Sequence, residues 1–556
     1  MNKIIFQTLV LSMSCMAFMP AKAEISYDPI APAIFNQLKD KAAVQVKFLD
    51  EAALEAFYEN RGFGPVWFTS GQLNSNGQAL LGELEDSWTH GLNPEHYHLA
   101  NIKHGLKAGY SHKVGELDIL MLDAYVRFMK DLSGIRVDPK SLDTDKKYWR
   151  QQKSARDILQ SFNPDISVKL SMAGYVPKGM TYQRLRDELR KLTLKSAPAY
   201  EGYLPIQYEG LIKPDSIHPS VIAVRKRLGE TMQVMNPRLY DDNLAARVMA
   251  FQKENGLKPD GYIGPQTLEV MNIRQEDRIK AIIANLERLR WVDDNKPSKF
   301  VVVNIPSAML WAVDEGRLAF QMPVIVGRED RPTNSFVTKI RGVRFNPNWT
   351  VPTTIKRKDI LPALKKDANY LNDKGMELIM GRGQEARTIE ASGIDWRNMN
   401  ESDMRYFTFV QTPGAHNPLG RVRVLMPNKY NIYLHDTNNR SYFDKSSRAL
   451  SSGCIRLKEP EKMADFIMKV NDSWSNDHMN ELFINGSTKE LYIENEVPVY
   501  LLYYTVWINH EGRLVYGRDL YDYDSKLIDL LKKLDGFKIP VDNGDKIKSD
   551  MTYALK

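Results

Sequence analysis

The sequence predicts a multidomain α+β protein in which helical domains precede a mostly β domain. Up to about residue 195, apolar positions recur at helical spacing, as at Val126, Met129 and Leu132. From about residue 297 the pattern changes to β-branched and alternating runs such as FVVVNI. With 556 residues and 43% hydrophobic content, the chain is long enough for roughly two to four domains with cores of their own.

The N-terminus is typical of an exported protein. An apolar run from Ile4 to Met19 precedes Ala21-Lys22-Ala23, which has the small-x-small form of a secretory cleavage site. We therefore expect residues 1–23 to be a signal peptide. The run is too short, and too often interrupted by polar residues, to span a bilayer comfortably. No later stretch approaches about 18 continuous apolar residues, so no integral membrane segment is expected after cleavage.

Charge and motif content argue against several partners and cofactors. The formal net charge is +7, and Lys3 and Lys22 leave with the predicted signal peptide. This mild excess suits a carboxylate-bearing surface, whereas a nucleic-acid binder would show a dense basic stripe, so no nucleic acid is expected. The sequence has no glycine-rich phosphate loop, HExxH, CxxC or EF-hand motif. His96 and His98 lack a third ligand at useful spacing, so we expect surface histidines, no metal and no cofactor.

Residues 211–273 are predicted to form a compact helical module. Leu244, Val248 and Phe251 share one helical face, and Gly256 stands where that helix would end. The module resembles the three-helix peptidoglycan-binding domain, and the residues that carry this resemblance are Phe251-Gln252, Gly256-Leu257, Asp260-Gly261, Ile263-Gly264 and Thr267. The resemblance implies binding of wall sugar or stem peptide, although most of these residues serve folding.

The other domain boundaries follow changes in the residue pattern. Residues 24–210 are predicted to form an α-helical domain, and residues 274–296 a helical connector. Residues 297–515 are predicted to be mostly β, followed by a C-terminal helix and polar tail over residues 516–556. Within the β domain, a segment of about 353–408 is charged, helix-compatible and interrupted by glycines. We expect a helical insertion there, and insertions of this size often act as lids.

One cysteine, Cys454, remains once Cys15 leaves with the signal peptide, so no intramolecular disulfide is expected. A thiol nucleophile needs a base, a group that orients the base, and donors for the oxyanion. His435 ends the alternating run NIYLH, so strand packing would fix its ring. Gly453 permits a turn in which its own amide and that of Cys454 converge, which would place the thiol beside an oxyanion hole.

The group that orients the imidazole stays open at this point. A backbone carbonyl, or the hydroxyl of Ser451 or Ser452, is able to accept from its second nitrogen. Asp436 is the acidic alternative, but as the next residue on a strand it is expected to point to the opposite face. Taken alone, a strand histidine is usually structural and a lone cysteine is usually a small buried hydrophobe. Their combination with a Ser-Ser-Gly turn favours catalysis.

The β domain resembles the YkuD family of L,D-transpeptidases. The family signature, a histidine followed by [ST]HGC and often IR, here reads His435 and then Ser451-Ser452-Gly453-Cys454-Ile455-Arg456. Ser452 stands where many members carry histidine, which affects positioning more than chemistry, since that histidine is not the general base. Further segments narrow the resemblance to the YcbB type, with its scaffold and peptidoglycan-binding domains: Phe345–Pro352, Pro413–Gly420, Met426–Thr437 and Val497–Trp507.

The resemblance implies cross-linking of peptidoglycan stem peptides without a cofactor. Cys454 would attack the L centre of diaminopimelate in a donor tetrapeptide stem, His435 would take the thiol proton, and D-alanine would leave. The side-chain amine of an acceptor stem would then resolve the thioester and give a 3→3 cross-link. The same resemblance implies the periplasm of a Gram-negative bacterium, cell-wall synthases as partners, and acylation of Cys454 by carbapenems. The predicted catalytic residues are Cys454, His435, Gly453 and Ser452.

Four further residues are predicted to bind the substrate. Arg456 either holds a stem carboxylate or forms a surface charge pair. Tyr433 shares the strand face of His435, where its hydroxyl can assist the oxyanion. Trp349 is either a wall against the stem or plain core. Ser451, in the turn before the cysteine, completes this group.

Two other functions fit the same residues. Hydrolysis by an L,D-carboxypeptidase, or exchange of the terminal D-amino acid, differs from cross-linking only in what attacks the thioester. A non-catalytic cell-wall-binding scaffold would keep the fold without using Cys454.

Overall fold

The computed structural model describes the following residues: 28–39, 47–107, 113–194, 205–208, 210–230, 234–255, 257–381, 383–445, 447–471, 474–509 and 511–538. The predicted signal peptide, Cys15, Gly256 and the end of the C-terminal tail lie outside them. Among the described residues, no helix combines the length and the apolar character that crossing a bilayer requires.

The chain divides into two compact units. The first comprises Met1–Glu85, Glu95–Lys130 and Ser154–Met172, and the second comprises Asp86–Pro94, Asp131–Lys153 and Ala173–Lys556. The predicted domain boundaries themselves stay predictions.

The first unit is built from helices and one short hairpin. Its elements are α1 (Ala31–Lys39), α2 (Glu51–Glu59), β1 (Phe68–Thr69), β2 (Gln72–Leu73), α3 (Ser75–Glu85), α4 (Leu99–Lys107), α5 (Val114–Leu132), α6 (Ala155–Ser161) and α7 (Val168–Met172). The carboxylate of Asp118 on α5 is fully buried and accepts from the Tyr58 hydroxyl at 2.6 Å and the Trp67 amide at 2.8 Å. Burial raises the pKa of Asp118 to about 6. These bonds fasten α2 and the hairpin to the central helix α5.

In the second unit, the described residues of the helical module form three helices, as the resemblance implied. After α8 (Met180–Leu194), the module's helices are α9 (Ser220–Arg227), α10 (Asp242–Glu254) and α11 (Pro265–Met271). Leu244 and Val248 are fully buried in its core, and Phe251 packs against that core. The Gln252 side chain donates to the Tyr262 carbonyl at 2.9 Å and accepts from the Gly261 amide at 2.8 Å. Gln252 therefore holds the turn before α11 in place.

The helical connector is α12 (Gln275–Arg290), and most of its length is buried. Its last residue, Arg290, is fully buried, forms an ion pair with Glu287 and donates to the His90 carbonyl at 2.8 Å. The helix shares a continuous apolar core with the strands that follow.

The β domain is a nine-stranded sheet with an inserted subdomain. Its elements in chain order are β3 (Phe300–Asn304), β4 (Met309–Asp314), β5 (Arg317–Gly327), β6 (Phe336–Phe345), β7 (Trp349–Thr350), α13 (Thr353–Ile355), α14 (Leu361–Lys366), α15 (Tyr370–Asp373), β8 (Met376–Met380), β9 (Arg387–Ile389), β10 (Phe407–Gln411), β11 (Val422–Leu425), β12 (Leu434–His435), β13 (Ala449–Ser451), β14 (Ile455–Leu457), α16 (Pro460–Met468), α17 (Asn476–Asn485), β15 (Lys489–Leu502), β16 (Val506–Ile508), β17 (Leu514–Tyr516) and α18 (Tyr523–Asp535).

The strand order of the large sheet brings distant segments together. The order is β13-β5-β14-β12-β11-β6-β15-β3-β4, and β4 also pairs with β5, so the sheet closes on itself. The pairs β12–β14, β15–β3 and β13–β5 are parallel. The multidomain α+β class predicted from the sequence is confirmed.

The insertion, taken here as residues 349–411, is a small subdomain with a core of its own. Its strands form a separate antiparallel sheet in the order β7-β10-β8-β9, and its helices are α13 to α15 with a π-helical turn over Lys356–Ile360. Leu361, Trp396 and Phe409 are buried in its core. The sequence predicted a helical insertion, but the structure also contains a sheet there. The sheet was not predicted because its strands are short and lie among charged residues.

Candidate active site

Two adjacent parallel strands bring the predicted histidine and cysteine together. In register, Leu434 of β12 pairs with Ile455 of β14, His435 pairs with Arg456, and the Ile455 amide donates to the Tyr433 carbonyl at 2.9 Å. Leu434 and Ile455 are fully buried on the core side of the sheet. Because side chains alternate along a strand, the other face carries Tyr433, His435, Cys454 and Arg456. We call this side of the sheet the catalytic face.

Cys454 is a free, half-buried thiol immediately before β14. Its sulfur lies 3.7 Å from the Asn431 carbonyl oxygen and accepts from the main-chain N–H of Tyr433. Burial raises the pKa of the thiol, and the Tyr433 amide and the charges of Arg423 and Arg456 offset only part of that rise. The resting sulfur is therefore protonated at neutral pH.

The imidazole of His435 is buried, with 4% of its surface exposed. Its Nδ1 lies 2.5 Å from the main-chain oxygen of Asp436. Since a carbonyl oxygen only accepts, Nδ1 carries the proton and Nε2 is left free to act as a base. Burial, together with the nearby charges of Arg456 and Arg423, lowers the pKa of His435 to about 3, and the hydrogen bond to Asp436 offsets only part of this shift. The ring is therefore neutral at neutral pH.

The thiol and the imidazole make no hydrogen bond to each other within the described residues. Along the paired strands, Tyr433 lies level with Cys454, and His435 lies level with Arg456. Cys454 and His435 are therefore diagonal neighbours on one face of the sheet. In enzymes without substrate, catalytic hydrogen bonds are often long and tighten when substrate binds.

Asp436 orients the base through its backbone and not through its carboxylate. The carboxylate accepts from the Arg421 amide at 2.8 Å, from the Thr437 amide at 2.7 Å and from Arg440 at 3.0 Å. These partners agree with the prediction that the side chain points away from the imidazole. Of the orienting groups left open by the sequence, a backbone carbonyl is the one that contacts the ring.

The turn before the cysteine is pinned by its own hydrogen bonds. Ser451 Oγ donates to the Cys454 carbonyl at 2.6 Å and accepts from the Gly453 amide at 3.1 Å. Gly453 has a φ of +110°, where a side chain is strained, and its carbonyl accepts from Thr333 Oγ1 at 2.7 Å. Two expectations need correction: Ser451 holds the turn and does not orient the imidazole, and the Gly453 amide is occupied in this conformation.

Ser452 connects the cysteine turn to the insertion. Its exposed hydroxyl accepts from Nη1 of Arg331 at 3.1 Å. The same guanidinium forms a bidentate ion pair with Asp359 of the insertion, at 2.5 and 3.0 Å. Sequence analysis missed Arg331 and Asp359, because their contact joins segments whose proximity only the fold determines.

The three other predicted substrate-binding side chains lie in different settings. Arg456 lies beside His435 and reaches Thr437 Oγ1 at 3.5 Å. Among the described residues no carboxylate lies within ion-pair distance of it, so the surface charge pair, one of the two alternatives for Arg456, finds no partner there. Tyr433 lies on the catalytic face, as expected. Trp349 lies in β7 and packs against the core of the insertion, which matches the core alternative. Its contact with a stem peptide stays a prediction.

Arg423 is a site residue that sequence analysis did not single out. It lies on β11, pairs directly with His435, and places its guanidinium carbon 3.7 Å from the centre of the Tyr433 ring. The alternating run RVRV indicates a strand, but not which strand it adjoins.

The predicted surface position of His98 is wrong. His98 Nε2 lies 2.8 Å from Asp123 Oδ2, and the side chain is largely buried. Over the described ranges, no group of three or more histidine, cysteine, aspartate or glutamate side chains has the arrangement of a metal site.

Three family models match the chain. Residues 298–489 match the YkuD model, described as "L,D-transpeptidase catalytic domain". Residues 52–189 match the model "Scaffold domain", and residues 221–271 match "Putative peptidoglycan binding domain". The three matches follow one another along the chain in the order that the sequence resemblance implied.

A curated relative is also similar to part of the chain. This protein of Haemophilus influenzae, named "Putative L,D-transpeptidase", is 31% identical over 254 residues, which cover 46% of this chain and 50% of the relative. The chain thus spans about half the length of the curated relative that it matches.

Among solved structures, an L,D-transpeptidase of Xylanimonas cellulosilytica is 16% identical, with coverage of 53% of this chain and 99% of that one, at a TM-score of 0.15. An L,D-transpeptidase of Stackebrandtia nassauensis is 13% identical, with coverage of 54% and 95%, at a TM-score of 0.18. TM-scores this low carry no inference about the chain.

Proposed function

Residues 298–489 belong to the YkuD family of L,D-transpeptidase catalytic domains, and from this premise we propose that the chain cross-links peptidoglycan stem peptides through Cys454. The observation that carries the proposal is a neutral thiol and a neutral imidazole on one face of two paired strands, with Nε2 of His435 free. The proposed product is the 3→3 link between two diaminopimelate residues.

The first half of the proposed reaction forms a thioester. Nε2 of His435 takes the thiol proton as Sγ of Cys454 attacks the carbonyl carbon at the L centre of diaminopimelate. The carbon–nitrogen bond to the terminal D-alanine then breaks, and the imidazolium returns its proton to the leaving amine. The energy of the cleaved peptide bond stays in the thioester, so no nucleotide or cofactor is needed.

The second half transfers the acyl group to an amine. The side-chain amine of a second stem attacks the thioester carbonyl, a carbon–nitrogen bond forms, and the sulfur leaves. His435 takes the proton from the attacking amine and returns it to the sulfur. The free thiol of the resting enzyme is regenerated.

The protonation states of the resting pair support this division of roles. Burial keeps both groups uncharged, because it raises the pKa of Cys454 and lowers that of His435. Charge therefore develops only as the thiol attacks, next to the Tyr433 amide, which already faces the sulfur. The Cys454 amide and the Tyr433 hydroxyl remain the proposed donors to the oxyanion.

Transfer requires that an amine reach the thioester before water does. The insertion is tied to the cysteine turn through Asp359, Arg331 and Ser452, which supports its assignment as a lid over the acylated sulfur. We assign Ser452 to this link, in place of direct catalysis.

The setting of the reaction belongs to the same proposal. The helical module matches a peptidoglycan-binding model and would hold the chain on the wall. An exported enzyme of this type would act in the periplasm of a Gram-negative bacterium, next to the cell-wall synthases that supply fresh stems.

A muropeptide assay tests the proposal. The purified chain is incubated with disaccharide tetrapeptides, and the products are separated and identified by mass. Dimers joined through two diaminopimelate residues, with release of D-alanine, are the expected result. Tripeptides alone would make the chain an L,D-carboxypeptidase, and unchanged substrate would favour the non-catalytic scaffold.

The assay includes two variants. Cys454→Ala should form no product, since it lacks the nucleophile. Ser441→Ala, which removes an exposed hydroxyl from the segment between His435 and the cysteine turn, should change product amounts by less than about twofold.

A further inference from the structure

A row of charged side chains crosses the catalytic face from strand to strand. In register, Glu490 of β15 pairs with Arg344 of β6, and Arg344 also pairs with Arg423 of β11. On its other side, Arg423 pairs with His435 of β12. His435 in turn pairs with Arg456 of β14. Side chains at directly paired positions share one face of the sheet, so an arginine stands on each side of the base.

The three arginines of this row differ in their partners. Arg344 forms an ion pair with Glu490. Neither Arg423 nor Arg456 has a carboxylate within ion-pair distance among the described residues, and Nε of Arg423 is buried without a hydrogen-bond partner. Burial lowers the pKa of both guanidinium groups. Of the three, Arg344 is the one that forms an ion pair with a described carboxylate, whereas Glu490 acts on Arg423 only at longer range.

A partly buried cation without an anion is costly, and natural sites keep one mainly where a ligand supplies the anion. The resting thiol does not supply it, because Cys454 is protonated. The guanidinium of Arg423 lies against the face of the Tyr433 ring, so its N–H groups remain directed along the edges of the guanidinium plane. That edge is the part of arginine that binds a carboxylate with two parallel hydrogen bonds.

We propose that Arg423 is a substrate-binding residue that, together with Arg456, holds a carboxylate of the donor stem and so restricts the enzyme to stems with a free C-terminal carboxylate. The inference rests on the proposed function, since it names the group of the stem that the site recognises. Distances allow it. The terminal carboxylate of a tetrapeptide lies one residue, about 3.5 Å, beyond the scissile carbonyl. Neighbouring strands are about 4.8 Å apart, well within the reach of an arginine side chain.

The site predicts a specific substrate class. A tetrapeptide stem that ends in a D-amino acid with a free carboxylate should bind, whereas its C-terminal amide should bind weakly. A hydrogen-bonded ion pair of this kind corresponds to a difference in affinity of about 10- to 100-fold.

Calorimetric titration tests the proposal without turnover. Cys454→Ala protein is titrated with the tetrapeptide acid and with its amide, and the acid should bind at least about tenfold more tightly. Adding Arg423→Gln should reduce the preference to less than about threefold by weakening only the acid. Arg341→Gln, a matched control on the neighbouring strand β6 whose own ion-pair partner is Glu496, should keep it.

Kinetics provide the second measurement. In the active enzyme, Arg423→Gln should raise KM for the acid by about tenfold and change kcat by less than about threefold. Arg423→Lys, which keeps the charge but loses the planar edge, should fall between wild type and Arg423→Gln. A shift in the pH profile of Cys454 alkylation with an unchanged KM would overturn the proposal, because Arg423 would then act on the thiol.

The outcomes separate this inference from the proposed function. Equal binding of acid and amide to Cys454→Ala, alongside cross-linking by wild type, would overturn the role of Arg423 and leave the reaction intact. Absence of both stem binding and cross-linking would overturn both.

Discussion

Arginines in the helical module and on the catalytic face differ in how their charge is balanced. In the module, Arg225 is fully buried and donates to Glu230 at 2.6 Å and to Asp241 at 2.5 Å. Burial lowers the pKa of Arg225, but these two carboxylates more than offset it, and the pKa is raised. On the catalytic face, burial lowers the pKa of Arg423 and Arg456; the charge of Glu490 offsets only part of the shift at Arg423, and no carboxylate acts on Arg456.

This difference separates polar groups that hold a fold from polar groups that await a ligand. Residues that give the module its family resemblance, such as Gln252 and Thr267, bond to each other. On the catalytic face, Nε of Arg423 has no hydrogen-bond partner and Nε2 of His435 is left free. A family motif can thus mark either structure or chemistry, and the partners of each side chain tell which.

The largest expected effect comes from the nucleophile. Cys454→Ala should lower the rate of cross-linking by at least about 10³-fold, because no other described side chain at this site can form the thioester. Thermal unfolding should change little, since the sulfur makes only a long contact to the Asn431 carbonyl and accepts from the Tyr433 amide. Rates come from the muropeptide assay. A residual rate within tenfold of wild type would contradict the assignment of Cys454.

Carbapenem labelling gives the same prediction a second readout. Intact mass should show one adduct on wild type and none on Cys454→Ala. An adduct on the variant would place the reactive group elsewhere.

The next effect concerns the base and its buried, neutral state. His435→Gln should lower the rate by about 10²- to 10⁴-fold, as expected for loss of a general base. The pKa of His435 is about 3 in the folded chain and near 6.5 when unfolded. Below pH 6.5 the unfolded chain therefore binds a proton that the folded chain does not, and stability falls as the pH drops towards 3.

Urea unfolding between pH 4 and 7 measures this pH-dependent contribution of His435 to stability. The free energy of unfolding of wild type should fall relative to His435→Gln by up to about 1.4 kcal/mol per pH unit below pH 6. Parallel curves for the two proteins would show that His435 titrates normally in the folded state.

A smaller effect is expected from the link between the insertion and the cysteine turn. Asp359→Asn removes the carboxylate that binds Arg331, and the lid should close less firmly over the thioester. Water should gain access, so the ratio of tripeptide to cross-linked dimer should rise by about three- to fivefold. Glu401→Gln, an exposed carboxylate on the same insertion, is the matched control. Equal product ratios in both variants would remove Arg331–Asp359 from the lid mechanism.

The smallest effect on catalysis is expected in the module. Gln252→Leu deletes the bonds to Gly261, Tyr262 and Thr267 and should destabilise the module by about 1–3 kcal/mol. Hydrogen exchange in peptides from α10 should increase accordingly. Turnover of soluble stem peptides should stay within about twofold of wild type, and a large loss would mean that the module supports the catalytic face directly.

Local patterns in the sequence were enough to predict the fold class and the central pair. NIYLH alternates, which predicted a strand that ends at His435, and Cys454 follows a Ser-Ser-Gly turn in the motif that carries the family resemblance. The preference of glycine for positive φ correctly indicated a turn at Gly453.

The remaining features of the site depend on contacts between distant segments. One sequence does not reveal strand register. Three features of the site depend on it: the contact of the Asp436 carbonyl with the imidazole, the hydrogen bonds of Ser451 within the turn, and the pairing of Arg423 with His435. The sheet of the insertion is also non-local, since β10 joins β7 to β8 across many residues. Long-range pairing is the part of a fold that local propensity specifies least.

The buried, protonated state of Cys454 also bears on the durability of the enzyme. Peroxides and disulfides react with the thiolate and far more slowly with the thiol, so a sulfur that ionises only during attack is a poor target between turnovers. Cysteines that sense oxidants do the reverse and keep a low pKa. A sulfur with these properties can remain reduced in surroundings that oxidise ordinary exposed thiols.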